Sequence, residues 1–129
     1  MSPAPDHILV VEDDPAYRRL VVRMLKGAGF AVSEADGFVS ALDLVEKEAS
    51  IDLLVLPSAG ENFGNVIVEA LAQGTPVMIS DRIPLAPYVT SHRFGTVVPA
   101  LDPASWARAL DLWFDSAPSI DREDAARQI

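Results

Sequence analysis

The sequence predicts a doubly wound α/β fold, a single three-layer domain around a parallel sheet, and three observations carry that prediction. Apolar runs of four to six residues recur along the chain, and most lack the alternation of a half-solvated strand. Segments with helical spacing of apolar residues separate them, which is the β-α-β rhythm of a parallel sheet. The length of 129 residues suits one domain, able to bury about two thirds of its unfolded surface in one core.

Ile8-Leu9-Val10-Val11 reads as the first strand, buried on both faces. Asp14 is placed to cap a helix that begins at Pro15, where a missing N–H costs nothing, with Leu20, Val21, Met24 and Leu25 at helical spacing and Gly27 and Gly29 as its stop. A second strand is expected from Phe30 to Ala35. A second helix follows from Ser40 to Glu48, with Ala41, Leu42 and Val45 turned inward.

Leu53 to Leu56 is the third strand. Val66 to Ala72 is the third helix, ended by Gly74, and Val77 to Ile79 is the fourth strand. Pro84 and Pro87 restrict the stretch around Leu85 to Ser91 to a short or irregular helix. Thr96 to Val98 makes the fifth strand. Asp102-Pro103 then opens a last helix carrying Trp106, Leu110 and Trp113. Right-handed crossovers and this length favour the flavodoxin-like strand order 2-1-3-4-5.

Composition narrows the function. The net charge is −9, from 19 acidic and 10 basic residues, and the basic ones are dispersed through the sequence, which argues against nucleic acid. With no cysteine there are neither disulfides nor thiolate metal sites. No apolar run reaches the ~20 residues of a bilayer span and the first residues lack a signal-peptide pattern, so the expectation is a cytoplasmic chain without a membrane partner.

Residues 7–56, HILVVEDDPAYRRLVVRMLKGAGF and the run through LLVL, resemble the N-terminal half of a bacterial response-regulator receiver domain. The resemblance matches Glu12 and Asp13 to the family's acidic metal-binding pair. Two carboxylates at a strand end suit a divalent ion whose shell water completes, so weak, vestigial Mg2+ binding is the only cofactor expectation. The family's phosphoryl acceptor corresponds to Pro57, which has no side-chain oxygen, and phosphotransfer at this position is excluded. Ser80 stands loosely for the family's hydroxyl residue, and VVPALDP after the fifth strand lacks its lysine.

Residues 54–115 resemble the C-terminal, donor-binding domain of retaining glycosyltransferases built from two Rossmann domains. The motif is Glu61-Asn62-Phe63-Gly64-Asn65 with Glu69 following, then EALAQGTPV. The resemblance implies that Glu61 contacts the transferred sugar and Glu69 the ribose hydroxyls. Phe63, Gly64 and Asn65 stand at a helix start, where backbone N–H groups favour a diphosphate. Each of these residues also has a plain structural reading: Glu61 and Asn62 as helix-start residues, Glu69 as a mid-helix residue beside Ile67, Ala70 and Leu71.

Each half keeps its own signature up to a junction near residue 56. The economical reading is a recombined or engineered chimera, residues 1–56 receiver-like and 57–129 glycosyltransferase-like, within one domain. The leading expectation is a non-enzymatic scaffold; the alternatives are a weak nucleotide, sugar-nucleotide or divalent-ion binder at the carboxyl edge of the sheet, and a degenerate receiver acting through protein contacts. Two further expectations concern surfaces. Glu12, Asp13 and Asp14 would repel a diphosphate, with no basic residue evident nearby, and Trp106, Trp113 or Phe114 would promote self-association of an otherwise monomeric chain with no defined protein partner.

Overall fold

The computed structural model describes residues 7–47, 51–57, 64–84, 86, 87, 89, 95–99 and 103–115. Among these residues the chain forms five strands and four helices: β1 His7–Val11, α1 Pro15–Gly27, β2 Ala31–Ala35, α2 Phe38–Lys47, β3 Leu53–Leu56, α3 Gly64–Ala72, β4 Val77–Ser80, β5 Gly95–Val98 and α4 Pro103–Asp115. The strands pair in parallel in the order β2-β1-β3-β4-β5, as the sequence predicts. Ala86, Pro87 and Val89 are helical where a short helix is expected. Asp102 lies outside the described residues, and Pro103 is the first residue of α4.

The helix ends show how the local chemistry acts. Asp14 caps α1 by accepting from the N–H groups of Ala16 and Tyr17 at 2.9 and 3.2 Å. At the other end Gly29, with φ 99°, takes the left-handed turn, and the N–H groups of Gly29 and Phe30 return to the carbonyls of Lys26 and Leu25. Gly27 belongs to the helix, so Gly29 alone is its stop. Gly74, φ 80°, ends α3 in the same way, with Gly74 N–H to Leu71 O and Thr75 N–H to Ala70 O.

α2 begins two residues earlier than its sequence predicts. Ala41 N–H already bonds to Gly37 O, and the Ser40 hydroxyl, read as a helix start, turns back to Asp36 within the first turn. β4 and β5 approach closely at Gly95, where a Cβ atom would lie 1.9 Å from the carbonyl oxygen of Val77. Only glycine fits there.

Two apolar layers cover the sheet. On one face Leu9, Val11, Leu54, Leu56 and Ile79 pack beneath Ala41 and Val45 of α2 and Val66, Ile67, Ala70 and Leu71 of α3. On the other, Ile8, Val10, Leu53, Val55 and Met78 pack beneath Val21, Val22 and Leu25 of α1 and Trp106, Leu110 and Trp113 of α4. Each layer therefore takes one helix from the first half of the chain and one from the second.

Trp106 and Trp113 are buried, which corrects the expectation that they are exposed. The Trp106 indole N–H donates to Pro99 O at 3.0 Å, so its polar edge is satisfied where β5 ends. The burial of Phe114 lies outside what is described. Among the described residues the large apolar side chains that are exposed are Leu20, Val39, Val68 and Leu112. Leu20 thus faces solvent although its spacing matched the buried stripe of α1. Among the described residues no helix is long and apolar enough to cross a membrane.

Candidate functional site

In an open parallel sheet, ligands bind beyond the carboxyl ends of the strands where the strand order reverses. Here that place lies between β1 and β3, which are paired from Ile8↔Leu53 to Val10↔Val55. The ends of β1, β3 and β4 supply Glu12-Asp13-Asp14, Pro57, and Ser80-Asp81-Arg82. α3 starts at this same edge, because it is the crossover from β3 to β4.

The three carboxylates after β1 have different fates. Glu12 is 1% exposed: its Oε2 accepts from Asp14 N–H at 2.9 Å, its own N–H donates to Ala35 O, and its carbonyl accepts from Arg18 at 2.8 Å. Asp14 is committed to the N–H groups of α1. Asp13 is exposed. Among the described residues no group of three or more His, Cys, Asp or Glu side chains is arranged to hold a metal ion.

Pro57 is buried at the end of β3, where it presents no oxygen to a phosphoryl group. Ser80, at the end of β4, is fully buried, and its hydroxyl oxygen accepts from Arg82 N–H at 3.2 Å. Arg18, the basic residue nearest the end of β1 in sequence, is held by Glu34 at 3.1 Å as well as by the Glu12 carbonyl.

α3 is anchored on the sheet through Val66, Ile67, Ala70 and Leu71, which fixes its outward side. Asn65 is exposed and Glu69 half-buried, and their i,i+4 spacing stacks them on one side of the helix, about 6 Å apart along its axis. Gly64 is the first residue of α3, and its first turn holds no acidic side chain. The N-terminal N–H groups of such a helix favour an anion, whereas those of α1 already have Asp14. Glu61 and Phe63 lie outside the described residues.

One residue escaped the sequence reading. Arg82 is exposed two residues beyond the end of β4, and β4 is the neighbour of β3 through Leu56↔Ile79. The topology brings a cation to the edge where α3 begins. A basic residue shortly after a strand end, in ISDR, was the available signal; it acquires meaning only once β4 is known to lie beside β3.

Comparison with known proteins identifies the lineage. The family model described as glycosyl transferases group 1 matches residues 10–128. The D-inositol 3-phosphate glycosyltransferase of Paenarthrobacter aurescens is 37% identical over 89 residues, covering 69% of this chain and 21% of that protein. The enzyme of the same name from Mycobacterium marinum is 34% identical over 125 residues, covering 84% of this chain and 27% of its own length. The chain therefore spans about a fifth to a quarter of these relatives. A match to 84% of the chain also reaches across residue 56 into the first half.

Solved structures share the fold. A receiver domain from the hybrid histidine kinase CckA superposes with a TM-score of 0.62 at 28% identity, covering 81% of this chain and 95% of that one. A de novo designed Rossmann 2x3 protein gives 0.69 at 14% identity, covering 89% and 94%. Sucrose-phosphate synthase from Thermosynechococcus elongatus gives 0.62 at 22% identity, covering 98% of this chain and 41% of that one. The expectation of a non-enzymatic chain is overturned by the family match and by these curated relatives, both glycosyltransferases. The chain belongs to the glycosyl transferases group 1 family.

Proposed function

We propose that the chain is a chimeric α/β domain that recognises a nucleoside diphosphate sugar, the donor side of glycosyl transfer, at the carboxyl edge of its sheet. The observation that carries this reading is the stacking of Asn65 and Glu69 on one side of α3, whose N-terminus opens at that edge. The diphosphate sits at the first turn of α3, where N–H groups and the helix dipole favour it. Glu69, one turn further along, accepts from the ribose hydroxyls, and Glu61 addresses the transferred sugar by similarity to the family. Arg82 supplies the positive charge.

The acidic loop is less of an obstacle than its composition suggests. Glu12 and Asp14 both have internal N–H partners, so Asp13 is left as the exposed charge without a hydrogen bond among the described residues. Asp13 is also where a loosely held Mg2+ would sit. The receiver-like half supports the sheet in this reading and has no phosphoryl acceptor at Pro57. Its parentage rests on the EDD segment and the likeness to the receiver domain.

Binding of UDP-sugars and GDP-sugars, followed by calorimetry with the full chain, tests the proposal. The expected dissociation constant is about millimolar, on the order of −4 kcal/mol. Glu69→Ala and Arg82→Glu should each weaken it several-fold. Equal affinity in all three proteins, or no saturable binding in the native chain, would remove the assignment.

A further inference from the structure

The chain carries a cationic helix face and an anionic one on opposite sides of the same sheet. Four of the ten basic residues lie on α1, which has no acidic residue. Arg18 is occupied by Glu34 and Glu12. Arg19, Arg23 and Lys26 are exposed, their i, i+4, i+7 spacing lines them up in one stripe, and among the described residues they have no ion pair. Leu20, 54% exposed, lies beside them.

α2 presents the complement with the same spacing. Val39, Asp43 and Glu46 are exposed and fall at i, i+4 and i+7, and Val39 is 78% exposed. Asp36, Gly37, Val39, Ser40 and Asp43 line a shallow depression of about 490 Å3 at the start of α2. Lys47, the single base on α2, is bonded to Asp43 at 2.9 Å, and that bond with its charge attraction holds the amine above the usual lysine range. Glu46 carries the stripe's remaining charge.

We infer that α1 of one copy docks on α2 of a second copy, with Leu20 entering the depression beside Val39 and the basic stripe facing Asp43 and Glu46. The two stripes cannot meet within one molecule, because α1 packs on one face of the sheet and α2 on the other. A compact acidic stripe fits α1 better than a membrane or nucleic acid, since a broad anionic surface would also face the acidic remainder of a chain of net charge −9. The contact uses two different surfaces, so it is heterologous and adds copies head to tail.

Sedimentation equilibrium of the native chain tests this. At about 0.15 M salt the net repulsion is largely screened while contacts at ~4 Å survive, and at ~1 M the contacts are screened too. The average mass should therefore rise with concentration at the lower salt and return to the monomer at the higher. R19E/R23E and D43K/E46K each place like charges on both stripes, and each alone should lower the association constant at least about tenfold. Mixed together, the two variants should associate again, because each then meets an opposite charge. A monomer at every concentration, association indifferent to both double variants, or failure of the mixture to recover would overturn the proposal. An acidic peptide bound to α1 without self-association would overturn it as well.

Discussion

Leu9 on β1 and Leu54 on β3 are partners in the parallel ladder, and both are fully buried beneath α2 and α3. The first and second halves of the chain therefore meet in the centre of the core. Side chains of similar size and the right pattern suffice to fold such a sandwich, and local complementarity sets the final stability.

Shortening either partner tests that coupling. Leu54→Ala should cost about 3 kcal/mol in urea unfolding, the usual cost of a buried leucine that leaves a cavity. Leu9→Ala should cost a similar amount, and the double variant should depart from the sum because the two sites share neighbours. Strict additivity, with a loss below about 1 kcal/mol each, would mean that the central ladder is loosely packed.

Gly95 lies directly against the backbone of the neighbouring strand β4. A Cβ atom there meets Val77 O at 1.9 Å, so Gly95→Ala must push β5 away from β4. The expected loss is about 3 kcal/mol or more, read as a lower urea midpoint with an unchanged slope. A variant as stable as the native protein would show that the strands are further apart.

Asp14→Ala removes the cap of α1 and should destabilise by about 1 kcal/mol. Because it also removes a carboxylate from the edge where the donor is proposed to bind, it should leave nucleotide affinity unchanged or improve it. Weaker nucleotide binding would assign Asp14 a direct role in holding the ligand.

Acetyl phosphate with Mg2+ should leave no phosphoryl adduct on the native chain, whose residue at the acceptor position is proline. Pro57→Asp places a carboxylate after the end of β3, the strand paired with β1, which leads into Glu12 and Asp13, and should yield a slow, Mg2+-dependent adduct detectable by mass. A folded Pro57→Asp protein that never labels would argue against the receiver ancestry of the first half.

The sheet was legible because five apolar runs and their spacers leave little choice of topology. Pro57 was equally legible, since a missing oxygen needs no structure to be noticed. Glu12 was not: EDD reads as a solvated acidic loop, true of Asp13 and Asp14, whereas Glu12 is folded back onto the Asp14 N–H. Trp106 was also misjudged, because its burial depends on how α4 crosses β5 and on a carbonyl at Pro99. Nothing local in RFGTVV marks Gly95 as the point where two strands crowd. The glycosyltransferase lineage was legible in the motif from Glu61 to Glu69 and in EALAQGTPV, but the contrast between halves led to the expectation of a non-enzymatic chain, and nothing in the first half marked the family match that extends back to residue 10.

Amide NMR of the labelled chain, titrated with UDP and GDP sugars with and without Mg2+, decides whether the carboxyl edge of the sheet recognises a sugar nucleotide. Donor recognition at this edge requires saturable shifts concentrated at Gly64, Asn65, Glu69 and Arg82, and their loss in Glu69→Ala. A well-dispersed spectrum that does not respond at concentrations of several times the expected ~1 mM constant would contradict donor recognition at this edge.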